Sequence, residues 1–584
     1  MRNELLIAAL ALGTGLFPQK AIRGAAPKTG TKVAARTTAA NKKAENAPPV
    51  SALENSPGVA AENTEAAFVS PYMEKGLPAD AQRTMLLEAA LANNVKNNRQ
   101  LWLGNIMRIG LYARPRAENR QNLNFSANNT ESINRISQNS QIWFFLNPAR
   151  DAEIKITLQD SRVWGGDGGA KSAAGVDDRA PYFSAGDYTT ATNPHSTVDV
   201  REAYLQFRNI AFAGFGAQVG RQVLSYGDGR MLGGANWNVS GLSFDGVLLK
   251  YDSSFLSSHL FAVQGTTSAR NNPPNGPVSE SAALGNSYLG GMYNTLKSEI
   301  AWLELYGIGI SRYIGADSIA AGTNFVATSS ANLQYTSVYT FGMRFTNRTD
   351  NNKLPAGHRW DFTLETAFQT GNAPDITFTD AAGNLTTNNS RKYNGKLFFA
   401  QTGYKVLEDL RVGAHVYYSP GTEDRTGSAI NTFQSMPGPR FGGFPYLNVF
   451  NGISENMGLK NIFTPALTIG YESKKWGDFV LSYFYENKAT PQDAWYAISG
   501  AQNSSATSTA ARTSSEDAKN TGSVALGKNI YQEIDFVWMK PFSNYFSLWV
   551  GVGYLRGGDA VSAARGADFK ADAFMGFVQL TGAL

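Results

Sequence analysis

The sequence predicts an all-β protein: one transmembrane antiparallel β-barrel of about 18 strands behind an N-terminal extension. Three observations predict it. Apolar and polar residues alternate with a period of two in many stretches, the signature of strands with unlike faces. Short turns and long polar loops take turns between those stretches, as in bacterial outer-membrane barrels. And Arg, Asp and Glu recur on one face of strands whose other face is aromatic or aliphatic. A soluble β-sandwich or propeller also alternates, but its inner face would bury those charges unpaired. A water-filled lumen removes that cost, so the membrane barrel is preferred.

Composition agrees. At 584 residues the chain exceeds the usual size of one soluble domain. After the N-terminus there is no apolar run of about 18 residues, which excludes helical membrane spans. A barrel needs none, because only its outer face meets lipid. A mean hydropathy of −0.27 fits strands of which half the residues face water. Cysteine is absent, which excludes disulfides, thiolate metal sites, catalytic cysteines and lipid-anchored cysteines. The four histidines, His195, His259, His358 and His415, are scattered, so no metal or other cofactor is expected. The net charge is +5, yet no folded stretch concentrates bases, so nucleic acid is not an expected partner.

Residues 1–26 read as a secretory signal, with Arg2 as the basic start, residues 5–17 as the apolar segment and Gly24, Ala25 and Ala26 before the cleavage point. Residues 27–79 are Ala- and Thr-rich, basic and poor in large apolar residues, and are expected to be disordered. Residues 80–94 (DAQRTMLLEAALANN) have helical spacing behind Asp80, so residues 80–100 are expected to form a short helix and linker. That helix would either sit at or inside the periplasmic end of the barrel or only tether the extension. Residues 101–584 would form the barrel.

The strands follow in order. Met107, Ile109, Leu111 and Ala113 share one face, opposite Arg108, Gly110, Tyr112 and Arg114. Ile136, Ile142, Phe144 and Leu146 then lead through a tight NPAR turn to Ile154, Ile156 and Leu158, which alternate with Glu153, Lys155, Thr157 and Gln159. Residues 198–251 give strand, short turn, strand, long loop, strand. Ala203, Leu205 and Phe207 alternate with Glu202, Tyr204 and Gln206 there, Arg221 lies in the second limb, and Asp245 lies in the third, 239–251. Tyr335, Tyr339, Phe341, Met343 and Phe345 oppose Thr336, Thr340, Gly342, Arg344 and Thr346. Trp360, Phe362, Leu364 and Phe368 oppose Arg359, Asp361, Thr363, Glu365 and Gln369. Arg411, Gly413, His415 and Tyr417 oppose Leu410, Val412, Ala414 and Val416. Phe479, Leu481, Tyr483 and Tyr485 form an apolar face against Asp478, Ser482 and Glu486. Ile530, Ile534, Phe536 and Trp538 do so against Glu533 and Asp535.

Long loops are expected at 163–196, 266–280, 315–333, 373–389, 420–460 and 488–527, on the outer side of the membrane. Short turns are expected at 209–214, 252–255, 295–299, 347–357, 407–409, 473–477 and 541–545. The last strand, 572–584, places Phe574, Val578, Leu580 and Leu584 together. Barrels of this kind usually end on an aromatic residue; Leu584 stands there instead, which bears on recognition by the barrel-assembly machinery. Lipid of the outer membrane is the expected surrounding.

A barrel of about 18 strands encloses an aqueous channel. Arg108, Arg114, Glu202, Arg221, Asp245, Arg344, Arg359, Glu365 and Arg411 are the candidates for its lining, with Glu202 and Arg221 facing each other across a turn. Arginines outnumber acids among them. An Arg-lined constriction favours anions through charge and through planar, two-pronged contact with carboxylate or phosphate. Each of these residues could equally be a wall ion pair. No nucleophile, base and acid come together, the pair Asp361 and Glu365 is ordinary alternation, and GGDGG at 165–169 precedes no helix, so catalysis is not expected.

The central stretch resembles the alginate-export family of outer-membrane β-barrel porins. The resemblance lies in GRQVLSYGDGRMLGG at 220–234, Trp237 and LSFDGVLLKY at 242–251, with REAYLQF at 201–207 and LQDSRVWGG at 158–166. It implies an 18-stranded barrel that passes anionic polysaccharide through an electropositive constriction, with a loop and a turn able to gate it. It also implies pore-wall roles for Arg221, Asp245 and Arg230. The N-terminal extension and Leu584 depart from the family pattern. Three readings therefore stand: a channel for anionic sugars or an exported polysaccharide, a general small-solute porin, and a surface adhesin or structural barrel with a plugged lumen.

Overall fold

The computed structural model describes residues 101–103, 107–128, 130, 132–149, 151–164, 198–234, 243–265, 288–319, 326–348, 357–379, 382–434, 452–454, 456–473, 475–496, 527–543 and 546–583. The expected signal (1–26), extension (27–79) and helix (80–94) lie outside the described residues.

Alternation at period two produces 18 long strands. They are β1 Met107–Gln121, β2 Ser132–Ala149, β3 Ala152–Val163, β4 Val198–Phe207, β5 Phe215–Gln222, β6 Phe244–Asp252, β7 Leu256–Gly265, β8 Tyr288–Lys297 and β9 Trp302–Ile319. They continue as β10 Val326–Thr346, β11 Trp360–Asn372, β12 Lys396–Lys405, β13 Leu410–Ser419, β14 Ile462–Ser473, β15 Gly477–Asn487, β16 Asn529–Pro541, β17 Phe546–Gly557 and β18 Asp572–Ala583. Each pairs antiparallel with the next. Then β18 pairs with β1, from Tyr112 opposite Ala583 to Gln121 opposite Phe574, and the sheet closes. Pro115, which has no N–H to donate, lies where that seam lacks its ladder pairs.

The faces divide as the alternation requires. On β10 the outward Tyr339, Phe341, Met343 and Phe345 are 38–50% exposed, while Thr340, Arg344 and Thr346 are buried. On β11, Asp361, Thr363, Glu365 and Gln369 are buried and Trp360, Leu364 and Phe368 exposed. Ile530 departs from expectation. It lies at the loop end of β16 and turns inward, 1% exposed, to pack with the interior cluster.

The long connections differ most from expectation. The stretch 315–333 is mostly ladder: β9 runs to Ile319 and β10 begins at Val326, with a bulge at Gly315 and Ala316. Within 373–389 the short strands Ile376–Thr379 and Leu385–Asn388 pair with each other, and the first runs parallel to the end of β9. Elsewhere parts of the described loop segments fold into the barrel and do not stand as a solvated crown. Leu224, Met231 and Leu232 from the β5–β6 connection join one apolar cluster with Phe433 and Met457 from the β13–β14 connection. Ala494, Trp495 and Tyr496 after β15, and Ala560 and Val561 of α1 (Asp559–Arg565), belong to the same cluster. The wall contributes Phe261, Leu289, Tyr306, Ile308, Phe399 and Tyr417 to it. The core of this molecule thus lies inside the cylinder, where loop and wall exclude water from each other's apolar surface.

Candidate functional site in the barrel interior

The interior has two unlike sides. Inner faces of β6–β9, β12 and β13 carry large apolar and aromatic residues, whereas those of β1–β4 carry bases. Arg108, Arg114, Arg116, Arg120, Arg135, Lys155 and Arg201 lie there against Glu118, Glu153 and Glu202.

On the basic side, acids gather several bases each. Glu118 meets Arg116 at 2.9 Å, Arg120 at 3.8 Å and Arg135 at 2.6 Å. Glu153 meets Arg208 at 3.0 Å and Arg108 at 4.0 Å. Arg108 also donates to Asn147 Oδ1 at 3.1 Å, and its guanidinium lies 4.9 Å from the centre of the Phe145 ring. Glu202 accepts from Lys155 Nζ at 2.5 Å and from the Thr157 hydroxyl at 2.9 Å.

The aromatic side holds the inward part of the β5–β6 connection, residues 223–234. Its turn depends on Gly227, at φ +59°; a Cβ there would lie 2.8 Å from the Tyr293 hydroxyl and 2.9 Å from Glu304 Oε2. Asp228 and Arg230 follow. Arg230 is buried, stacked 3.6 Å from the Phe399 ring centre. It donates through Nε to Glu365 Oε2 at 2.8 Å and through Nη2 to Asp228 Oδ2 at 2.5 Å. Glu365 also accepts from the Tyr306 hydroxyl at 2.9 Å. Beside it Arg344 Nη1 donates to Glu304 Oε1 at 2.8 Å, and Glu304 Oε2 accepts from the Tyr293 hydroxyl at 2.5 Å. At the far end of the segment Arg201 donates to the Gly234 carbonyl at 2.9 Å and to the Ser243 hydroxyl at 3.2 Å. Two arginines therefore hold this loop, one from the loop into the wall and one from the wall into the loop.

A second clip joins two further connections. Arg425, after β13, donates to Asp493 Oδ1 at 2.6 Å and also to the Tyr496 hydroxyl. Asp493, after β15, accepts in addition from the Thr422 N–H at 2.9 Å and the Thr432 hydroxyl at 2.5 Å. Burial alone would push the Asp493 carboxyl up; the Arg425 charge and these donors outweigh it and hold the group below its ordinary value. A third contact holds residues 452–454 against β16, where the Ile453 N–H donates to Asp535 at 2.9 Å and the Ser454 N–H to Glu533 at 3.0 Å.

Of the candidates read from the sequence, Arg108, Arg114, Glu202, Arg344, Glu365 and Arg411 lie on the inner face, and Arg230 reaches the interior from its loop. Arg411 is not open to a lumen; it grips Asp361 with both prongs, at 2.6 and 2.7 Å. Three placements are corrected. Arg221 and Asp245 point outward, 28% and 47% exposed, and pair with each other at 2.8 Å. They share the parity of Val219 and Val247, which the wall turns outward. Arg359 precedes the first residue of β11 and lies at the exposed short-turn rim, where it pairs with Glu408 at 2.7 Å. Nor do Glu202 and Arg221 face each other: Glu202 stands opposite Thr157, and Arg221 opposite Ala203. The inner charges are buried and answer one another, which is the wall ion pair that the sequence left open beside a role facing the lumen.

Arg116, Arg120, Lys155 and Arg201 were not among the candidates. Arg116 and Arg120 continue the even-numbered parity of Arg108 and Arg114 past Pro115, so the spacing did carry them. Lys155 sits on a polar face already legible on β3. Arg201 occupies a register shift between β3 and β4, which no alternation reveals.

The sequence profile of the family described as "Alginate export" matches residues 106–573. No curated protein matches. Among solved structures, OccAB1 of Acinetobacter baumannii is similar at 11% identity and a TM-score of 0.47, over 82% of this chain and 96% of that one. OccAB4 of the same organism gives 12% and 0.45, over 83% and 99%. The outer membrane protein OprD from Pseudomonas aeruginosa gives 8% and 0.43, over 82% and 93%.

Proposed function

Because this chain belongs to the alginate export family and is a β-barrel channel of the bacterial outer membrane, we propose that it passes an anionic polysaccharide of the alginate class along the basic wall of β1–β4. The surplus of bases over acids on those four inner faces carries this reading. A uronate chain presents a carboxylate on every sugar, and guanidinium groups bind such planar anions in the two-pronged manner already seen between Arg411 and Asp361. A wall with more bases than acids keeps a net attraction for that polymer after its own pairs are counted. The apolar side does a different job: it stores the loops. Passage then requires the segments at 223–234 and 420–434 to leave their clips.

Single-channel recording in planar bilayers tests this. The expected result is a chloride-biased reversal potential in a KCl gradient and block by added polyuronate, both weakened by Arg114→Gln with Arg116→Gln. Arg221→Gln and Arg359→Gln, at outward and rim positions, should leave selectivity unchanged. Unselective conductance indifferent to polyuronate would instead indicate a general small-solute porin. The filled interior supports a second reading, a barrel plugged by its own loops that acts through its surface; absence of conductance under every condition would favour it and sink the first.

A further inference from the structure

A third stretch of the inner wall, on β15–β18, belongs neither to the basic side nor to the seat of the 223–234 loop. Val480 on β15, Val537 and Met539 on β16, Trp549 on β17 and Phe577 on β18 point inward there, 0–3% exposed, in one apolar cluster. Val480 stands opposite Val537, and Met539 opposite Trp549, so these side chains form a single layer on adjacent strands. One face of a sheet does not bury itself; a second layer has to lie on it. Among the described residues, Ile453 is the one member of this cluster that comes from a connection, and its N–H is fixed on Asp535. Met539 lies about 13 Å further along β16, towards the short turns and beyond that contact.

The chain itself enters beside this stretch. The short strand Leu101–Leu103 pairs antiparallel with the start of β1, Leu101 opposite Ile109 and Leu103 opposite Met107. It fills the place in the sheet below β18, whose own pairing with β1 stops at Ala583 opposite Tyr112. Traced back from Leu101, the ladder has room for about two residues, opposite Gly110 and Leu111, before Ala583 holds the position. The preceding chain therefore leaves the sheet at this depth. On the lipid side it would bring unpaired backbone and the polar residues of 93–100 (NNVKNNRQ), Lys96 and Arg99 among them, against hydrocarbon. On the inner side it arrives next to β17, the strand that carries Trp549 and pairs with β18.

We propose that residues 80–94 form a helix seated inside the periplasmic mouth, with Met85, Leu86, Ala89 and Ala90 covering Val480, Val537, Met539 and Trp549. The reach fits. Residues 95–100 span at most about 20 Å, which holds the helix at the mouth where the chain enters. A helix over 80–94 is about 22 Å long, enough to cross from β17 to β15 over strands about 4.8 Å apart. The long connections are worse placed, since they join their strands at the opposite end of the barrel. The N-terminal part of the chain is then a gate at the short-turn opening, whatever solute the channel carries.

The absence of cysteine makes the test direct. Met85→Cys, Leu86→Cys or Ala89→Cys is combined with Met539→Cys in the full-length protein, which carries a protease site inserted between Asn97 and Asn98. Each variant is first checked for the heat-shifted gel band of a folded barrel. A short bismaleimide is expected to hold the two pieces together after cleavage in at least one of these pairs, and in none that uses the outward Ile534→Cys instead. In a second measurement Met539→Cys alone reacts with an anionic thiosulfonate. Deleting residues 80–94, or introducing Leu86→Glu with Ala89→Glu, is expected to speed that reaction at least about tenfold. Cross-linking to Ile534→Cys, or to neither position, would overturn the proposal. So would equal rates at Met539→Cys in the full chain and in those two variants.

Discussion

Arg230 brings a full positive charge into the apolar side of the interior, and every group around it answers that charge. Two carboxylates accept its hydrogen bonds and the Phe399 face lies against it. Removing one partner of a buried pair leaves the others uncompensated, which costs about 3–5 kcal/mol. Arg230→Gln is therefore expected to free the 223–234 segment, seen as faster protease cleavage there and more frequent opening in single-channel traces. Arg230→Lys should not restore the wild type, because one ammonium cannot make both bonds and stack. The motif containing Arg230 was legible in the sequence, but its destination was not. Glu365 lies 135 positions away on another wall, and nothing local specifies that meeting. Arg221 shows the converse error: its parity with Val219 marked it as outward, while its charge and the family resemblance suggested a lumen.

At the scale of elements, the strands were readable because each carries its own evidence. A face that alternates aromatic with ionic residues can be assigned from a few residues, and β10 and β11 follow their pattern. The connections were not readable, since a polar composition suits a solvated loop and an inward loop that pairs its polar groups equally well. The clip between the β13–β14 and β15–β16 connections makes such a loop testable. Asp493 is held below its ordinary value, so the clip's stabilisation is complete above the unfolded carboxylate's pKa, about 3.9, and is lost as pH falls through the still lower folded value. Opening of 420–434 and 488–496, read from hydrogen exchange corrected for its intrinsic pH dependence, should stay level from about pH 8 to about pH 5 and rise only below about pH 4. Asp493→Asn should raise it at all these pH values and flatten the dependence. A rise already at pH 6 would assign the clip to other groups.

At the scale of the whole molecule, the barrel's inside and outside are different solvents. The outer face is spread with side chains such as Leu467 that can be satisfied only by hydrocarbon. Leu467→Arg should cost about 2–4 kcal/mol, the range for a cation on a lipid-facing strand near the midplane. Denaturant unfolding in lipid vesicles measures it, and a change near zero would mean that this wall faces water or protein. This division was visible from composition and alternation together. What the sequence could not give is how the interior is filled, because filling depends on which distant segments meet.

The seam between β1 and β18 sets the order in which this protein can become itself. Residues more than four hundred positions apart must find each other before any edge disappears. Until Asp572–Ala583 has been synthesised and delivered, β1 and β17 both offer open ladders to any passing strand. The strand Asp572–Ala583 is thus the keystone, and a copy that lacks it is not a smaller channel but a sticky ribbon.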